Sequence, residues 1–309
     1  PMPSTPPRSN VRRSRGSIGT AAGGTVAFMR FGSPTHFISS ARRQFDDDLL
    51  PFAGHAPTWL TMDRAPDYHT MPDGRRIAYR HLAGHGPTLM FLPGYMSDMS
   101  GSKARALFDW ARREGRACLL LDYSGCGESA GDFADGTLSR WRDEVVALVE
   151  THVEGRVVLI GSSMGGWLML LAAEVLGTRV AGLVGIAAAP DFTDWGYSEA
   201  QKARLAAGQT VFEHNPYDAD LTPIHPGFFA DGQKRRRLQT LIAIDCPVRL
   251  LHGHRDEDVP SDISLRLAAA LRSDDIQVVL VKDGDHRLSR PQDIALLLRT
   301  LAHVLEPDR

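Results

Sequence analysis

Residues 156–166 read Arg-Val-Val-Leu-Ile-Gly-Ser-Ser-Met-Gly-Gly, an apolar run that breaks into Gly-x-Ser-x-Gly with Ser163 at its centre. On a tight strand-to-helix turn a hydroxyl is held clear of its own backbone, and Gly161, Gly165 and Gly166 leave room for the turn and for neighbouring chain. A serine hydroxyl is a poor nucleophile at neutral pH. It needs a base to take its proton and a carboxylate to orient that base. Two downstream segments offer both, each just past an apolar run. Residues 248–251 lead into His252-Gly253-His254-Arg255-Asp256-Glu257-Asp258, and residues 277–281 lead into Asp283-Gly284-Asp285-His286. Ser163, Asp256 and His286 are therefore the candidate nucleophile, orienting acid and base, in the order expected when each follows a strand of one sheet.

Each partner has rivals. His252 and His254 read as packed or polar loop residues, because neither follows the last strand, where the base belongs. Glu257 and Asp258 read as solvated or capping carboxylates, Asp191 also ends a strand, and Asp285 reads as a turn residue beside His286. Acyl transfer further needs donors for the oxyanion of a tetrahedral intermediate. The Met164 backbone N–H follows the nucleophile at the start of its helix, and the Tyr95 N–H follows the bend at Pro93-Gly94, so these two amides are the expected donors. Such chemistry calls for no metal and no organic cofactor.

The elements that must carry these residues are legible as alternating patterns. Residues 58–62 and 75–81 are expected to be antiparallel strands joined around Pro72-Asp73-Gly74. Strands at 88–92, 117–123, 156–161 and 180–188 then alternate with helices at 103–113, 138–153 and 164–176. After an irregular, aromatic stretch at 191–240 come a strand at 248–251, a helix at 261–272, a strand at 277–281 and a last helix at 292–305. The strands are apolar on both faces and the helices carry apolar residues at i, i+3 and i+4, which predicts an α/β fold with a mostly parallel sheet of about eight strands, helices on both sides. Active sites on such sheets lie at the carboxyl ends of the strands. The insertion after the sixth strand, rich in Phe, Trp and Tyr, is expected to be a small cap over that edge. Its basic run Lys-Arg-Arg-Arg at 234–237 reads as a solvated helix face, with an anionic leaving group or a membrane surface as the lesser reading.

Composition bounds the function class. The chain has 309 residues, 43% hydrophobic and 23% charged, with a formal net charge of −2. That balance gives no electrostatic case for nucleic acid, and no run approaches a membrane-spanning length. Cys118, Cys126 and Cys246 have no ligand-like spacing and read as reduced thiols, which suits the cytoplasm. Residues 1–50 are expected to form a leader ahead of a catalytic domain at 51–309. Residues 1–45 hold seven arginines and no acid, the composition of a transit peptide that would send the chain to the mitochondrial matrix instead. The whole chain has 31 Arg against 4 Lys, a bias that a GC-rich genome also produces.

Five segments carry a family resemblance: Phe-Leu-Pro-Gly-Tyr-Met-Ser-Asp-Met-Ser-Gly-Ser-Lys-Ala at 91–104, Asp-Tyr-Ser-Gly-Cys-Gly-Glu-Ser at 122–129, Leu-Ser-Arg-Trp-Arg-Asp-Glu-Val at 138–145, Gly-Ser-Ser-Met-Gly-Gly-Trp-Leu-Met-Leu at 161–170 and Pro-Val-Arg-Leu-Leu-His-Gly at 247–253. Over residues 57–307 the chain resembles the α/β-hydrolase superfamily, and within it the α/β-hydrolase domain-containing protein 10 family. The resemblance implies a serine hydrolase acting on carboxylic esters or thioesters, a palmitoyl-protein thioesterase that also cleaves acyl glucuronides, with its triad at Ser163, Asp256 and His286. Its partners would be small-molecule or S-acylated protein substrates. A carbon–carbon hydrolase or small-ester lipase of the same fold, or a non-catalytic binder of lipophilic ligands, is the alternative.

Overall fold

Apolar side chains on both faces of a strand demand cover on both sides, and the chain supplies it. The computed structural model describes residues 64–214 and 221–306. Within them an eight-stranded sheet forms from β1 (Asp67–Thr70), β2 (Arg76–Leu82), β3 (His85–Leu92), β4 (Arg116–Leu121), β5 (Val157–Ser162), β6 (Val180–Ile186), β9 (Val248–Gly253) and β10 (Ile276–Val281). Its order is β1-β2-β4-β3-β5-β6-β9-β10. β1 and β2 run antiparallel to their neighbours, and every pairing from β4 to β10 is parallel.

Successive residues split cleanly between two cores. Met90, Leu119, Leu159 and Leu183 meet α2 (Leu138–His152), α3 (Met164–Leu176) and α7 (Asp262–Ala270) on one face. Leu89, Leu120, Ile160 and Val184 meet α1 (Ser102–Arg113) and α8 (Pro291–Leu305) on the other. The chain passes from β3 outward to β4 and then returns to β5 on the opposite side of β3. The strand order therefore reverses between β3 and β5, where the carboxyl ends leave a crevice for a ligand.

The expected strand at 58–62 and the leader at 1–50 lie outside the described residues. The strand that pairs with β2 is Asp67–Thr70, Asp-Tyr-His-Thr, a short, mostly exposed edge strand. Its polar composition carries no apolar signal, which is why the sequence pattern passes over it. The insertion between β6 and β9 contains α4 (Phe192–Trp195), α5 (Glu199–Ala206), a hairpin of β7 (Val211–Glu213) and β8 (Thr222–Ile224), and α6 (Pro226–Lys234). Tyr197, Leu205, Val211, Ile224 and Phe229 give this cap a small core of its own.

Lys234 of the basic run is exposed, as a solvated face requires, but the three arginines after it are half-buried and paired. Arg236 pairs with Asp194 at 2.9 Å, Arg237 with Glu174 of α3 at 2.8 Å, and Arg235 with Asp231 at 3.6 Å. The pairs of Arg235 and Arg236 with Asp231 and Asp194 lie within the cap, while Arg237 with Glu174 and Arg235 Nε, which donates to Ser139 Oγ of α2 at 2.9 Å, tie the end of the cap to the core. Asp191, a rival for the orienting acid, belongs to the same tie: its buried carboxylate accepts the Arg237 and Leu238 backbone N–H groups at 2.7 and 2.8 Å.

Candidate active site

Four strand ends converge on the crevice. β5 ends at Ser162 and α3 begins at Met164, so the whole reversal falls on Ser163, at φ 54° and ψ −120°. A non-glycine residue at positive φ is strained and persists only where its surroundings over-determine it. Here Ser163 N–H donates to Ile186 O at 2.9 Å, while Ser163 O accepts from Gly166 and Ala189 N–H at 2.8 and 3.0 Å. The turn also demands close approach of chain to chain. A Cβ on Gly165 would overlap the Leu92 and Pro93 carbonyl oxygens, and one on Gly161 would overlap the Gly165 backbone.

The loop after β9 carries Asp256, and the loop after β10 carries His286. His286 Nε2 lies 3.1 Å from Ser163 Oγ, and its Nδ1 lies 2.9 Å from Asp256 Oδ2. A carboxylate can only accept, so Nδ1 carries the proton and Nε2 is left to accept from the Ser163 hydroxyl. The Asp256 side chain is fully shielded from solvent. Its Oδ1 accepts the Asp258 and Val259 N–H groups at 3.0 and 2.8 Å. Burial alone would favour the neutral acid, but hydrogen bonds from His252, His286 and the Val259 amide outweigh it and hold the carboxyl well below the usual carboxylate range.

The loop after β3 supplies the fourth side. Tyr95 and Met164 line the same cavity as Ser163, and among the described residues neither backbone N–H has a hydrogen-bond acceptor. The Tyr95 side chain is spoken for: its hydroxyl donates to Pro223 O of the cap at 2.9 Å, and its ring packs against Phe133 and Phe228.

Two residues that hold these loops escaped the sequence reading. The Gly-rich stretch after β4 is a structural turn, as its lack of a phosphate-binding pattern suggests, yet its Asp122 reaches toward the site. One carboxylate oxygen accepts Met99 N–H at 2.7 Å and the other Glu128 N–H at 2.9 Å, fixing the loop that bears Tyr95. Lys103 of α1 donates from Nζ to Arg287 O at 2.5 Å and Ser289 Oγ at 3.2 Å, anchoring the loop of His286. Burial and the nearby Arg287 push its ammonium down to about 8. Both were illegible because Met99, for Asp122, and Arg287 and Ser289, for Lys103, lie in separate loops 23, 184 and 186 positions away.

The other rivals are accounted for. His254 and Glu257 are exposed, and Asp285 accepts Leu288 N–H at 2.9 Å as a turn residue. His252 is packed, but beside Asp256: its Nε2 lies 3.2 Å from Asp256 Oδ2. Asp256, Asp258 and His286 also form a grouping whose ligand-type atoms lie within 4.8 Å of one another. In that grouping Asp256 and His286 already bond to each other. Cys118, Cys126 and Cys246 are free thiols.

Ser163 and His286 open onto a cavity of about 730 Å³ between the cap and the carboxyl ends of the strands. Tyr95, Phe192, Trp195, Tyr197 and Ile224 form an aromatic and apolar part of its wall, interrupted by Glu213, His214 and Thr222 of the cap, and Ser97, Ser102, Lys103, Arg287 and Ser289 form a polar part.

The alpha/beta hydrolase family model matches residues 89–297, which is most of the sheet and the whole site. The chain belongs to the α/β-hydrolase family. Among curated relatives of this α/β-hydrolase, human mitochondrial palmitoyl-protein thioesterase ABHD10 is 34% identical over 258 residues, covering 81% of this chain and 84% of that protein. The solved structure of mouse α/β-hydrolase domain-containing protein 10 superposes with a TM-score of 0.74 at 34% identity, covering 79% of this chain and 99% of that one. Est1E from Butyrivibrio proteoclasticus, solved with ferulic acid bound, shares the fold at a TM-score of 0.61 and 20% identity, covering 76% and 99%. This α/β-hydrolase is thus a hydrolase related to thioesterases, and no helix among its described residues is long and apolar enough to cross a membrane.

Proposed function

We propose that this protein is a serine hydrolase that cleaves carboxylic esters and thioesters through an acyl-Ser163 intermediate. The observation that carries the reading is the hydrogen-bond chain from Ser163 Oγ through His286 to the shielded Asp256, opening on a cavity of about 730 Å³. That volume lies in the range of roughly 300–1,000 Å³ typical of small-molecule sites. His286 Nε2 takes the hydroxyl proton as Oγ attacks the carbonyl carbon. The Tyr95 and Met164 amides receive the developing oxyanion, and Asp256 stabilises the imidazolium. His286 then gives its proton to the leaving sulfur or oxygen. Water, deprotonated by the same imidazole, releases the acid.

The acyl chain lies against the aromatic wall under the cap, and the leaving group lies toward the polar wall. Kinship with palmitoyl-protein thioesterases favours long-chain S-acylated proteins as substrates, with acyl glucuronides as a second class that the polar wall accommodates. The mitochondrial relatives, together with the Arg-rich residues 1–45, favour the mitochondrial matrix over the cytoplasm. In this reading residues 1–50 are a leader and 51–309 the catalytic domain, and sequencing the N-terminus of the native protein tests that boundary.

The deciding experiment is hydrolysis of p-nitrophenyl esters of increasing chain length, acyl thioesters and acyl glucuronides by the wild type and Ser163→Ala. The wild type should prefer longer chains, and Ser163→Ala should lose about six decades of kcat, keeping only the residual acceleration that the oxyanion donors and binding supply. Equal rates in the two proteins overturn the nucleophile assignment. A wild type inert on every substrate overturns the hydrolytic assignment in favour of a ligand binder.

A further inference from the structure

The Asp256 carboxylate offers about four lone-pair sites, and four donors approach it. Two are the backbone amides on Oδ1 and one is His286. The fourth is His252, near the end of β9, whose Nε2 lies 3.2 Å from Oδ2, the oxygen that His286 also uses. The His252 side chain has no solvent exposure, so every one of its contacts is made within the fold.

Those contacts define which nitrogen carries the proton. Nε2 lies 2.9 Å from Val259 O, and Nδ1 lies 2.7 Å from Ser264 Oγ on α7. A carbonyl accepts only, so Nε2 must donate; in the neutral imidazole this leaves Nδ1 to accept from the Ser264 hydroxyl. The Nε2–H then points to Val259 O, with Asp256 Oδ2 3.2 Å from the same nitrogen. The charged and titratable groups gathered at that carboxylate are His252, Asp258 and His286. From α7 the group facing His252 is the uncharged Ser264, and from β10 its register partner is Leu280.

We propose that His252 is a positioning residue for the hydrolytic reaction: it holds the Asp256 carboxylate in the orientation that His286 requires. The inference rests on the serine-hydrolase reading and deepens it. Two amides fix Oδ1, but among the described residues Oδ2 is approached only by the two imidazoles, one of which changes its charge through the catalytic cycle. His252, locked by Val259 and Ser264, is the immobile one.

The test uses the full chain, p-nitrophenyl butyrate as substrate, and the variants His252→Phe, His252→Gln, Ser264→Ala and Ser163→Ala. His252→Phe keeps an aromatic ring but removes the donor. Its kcat should fall by about tenfold or more, the effect of losing one hydrogen bond to a charged group, while KM stays within about twofold. The acidic limb of its kcat/KM–pH profile should move to lower pH, because a carboxylate no longer held toward His286 stabilises the imidazolium less. His252→Gln, whose amide can donate to the same oxygen, should recover part of both effects. Ser264→Ala releases Nδ1 to the other tautomer and should give a smaller change of the same kind. If His252→Phe does not fold, the other two variants decide. Folded variants with altered melting temperature but wild-type kcat and pH profile overturn the positioning role. Full activity in Ser163→Ala instead overturns the triad reading beneath it, and the two failures are thereby distinguished.

Discussion

Ser163 holds its strained backbone because three backbone hydrogen bonds and the glycines around it leave no relaxed alternative. Asp256 is the complementary case, a charge tolerated in a shielded pocket because four donors surround it. Asp256→Asn should keep the shape but present an amide N–H or a weaker acceptor to His286, disfavouring the tautomer the reaction needs. Its kcat on p-nitrophenyl esters should fall by about three to four decades, and a fall of less than tenfold contradicts the assigned role. The same carboxylate has a stability signature. Its folded pKa is depressed, so its contribution is fully present above the unfolded value of about 3.9 and is lost as the pH falls toward the folded one. Urea melts of the wild type and Asp256→Asn should differ by a constant amount above pH about 4 and converge below it. A difference that does not change between pH 7 and 2.5 contradicts the shift. Ser163, Asp256 and His286 were each legible as candidates because each follows a strand pattern. The role of His252 was not, because its meaning depends on where the neighbouring loop folds back.

At the level of elements, the junction of β3, β5 and α3 is the tightest point of the fold. Gly165→Ala forces a methyl group against the Leu92 and Pro93 carbonyls, which can be relieved only by moving α3 away from β3. The expected cost is about 3 kcal/mol or more, or at least about 6 °C in Tm, with a matching loss of fluorophosphonate labelling at Ser163. Thermal melts and labelling at wild-type level contradict that packing. The helices and the buried strands were readable from periodicity: α3 spans Met164–Leu176 as expected, and the remaining boundaries shift by at most two residues except the start of β3, which lies three residues earlier at His85. The edge strand β1 was not, since its stability comes from its ladder with β2 rather than from apolar side chains.

Over the whole described molecule, the cap is fastened to the core at several points. Asp231 of α6 accepts Ser139 N–H and Oγ–H of α2 at 2.8 and 2.6 Å, Trp167 of α3 donates to Arg235 O at 3.1 Å, and Arg237 meets Glu174. A cap so tied should melt together with the sheet, as one cooperative transition. Asp231→Ala leaves the Ser139 donors at the head of α2 without their acceptor and should cost about 1–3 kcal/mol. It should also raise KM for long-chain esters more than for short ones as the aromatic wall loosens. An Asp231→Ala protein with wild-type Tm and an unchanged chain-length profile contradicts a fixed cap.

What the sequence determined by itself was local: which runs are strands or helices, which residues stand at their ends, and hence a small set of nucleophile, acid and base candidates. These follow from periodicity and turn chemistry, which act over a few residues. Only the tertiary structure decided how Ser163, Asp256 and His286 stand to one another, that Asp191 and the arginines after Lys234 tie down a cap, and that His252 shares the Asp256 carboxylate. Those relations are contacts between side chains up to 123 positions apart. Their geometry depends on the order in which the strands pair, which no local pattern encodes.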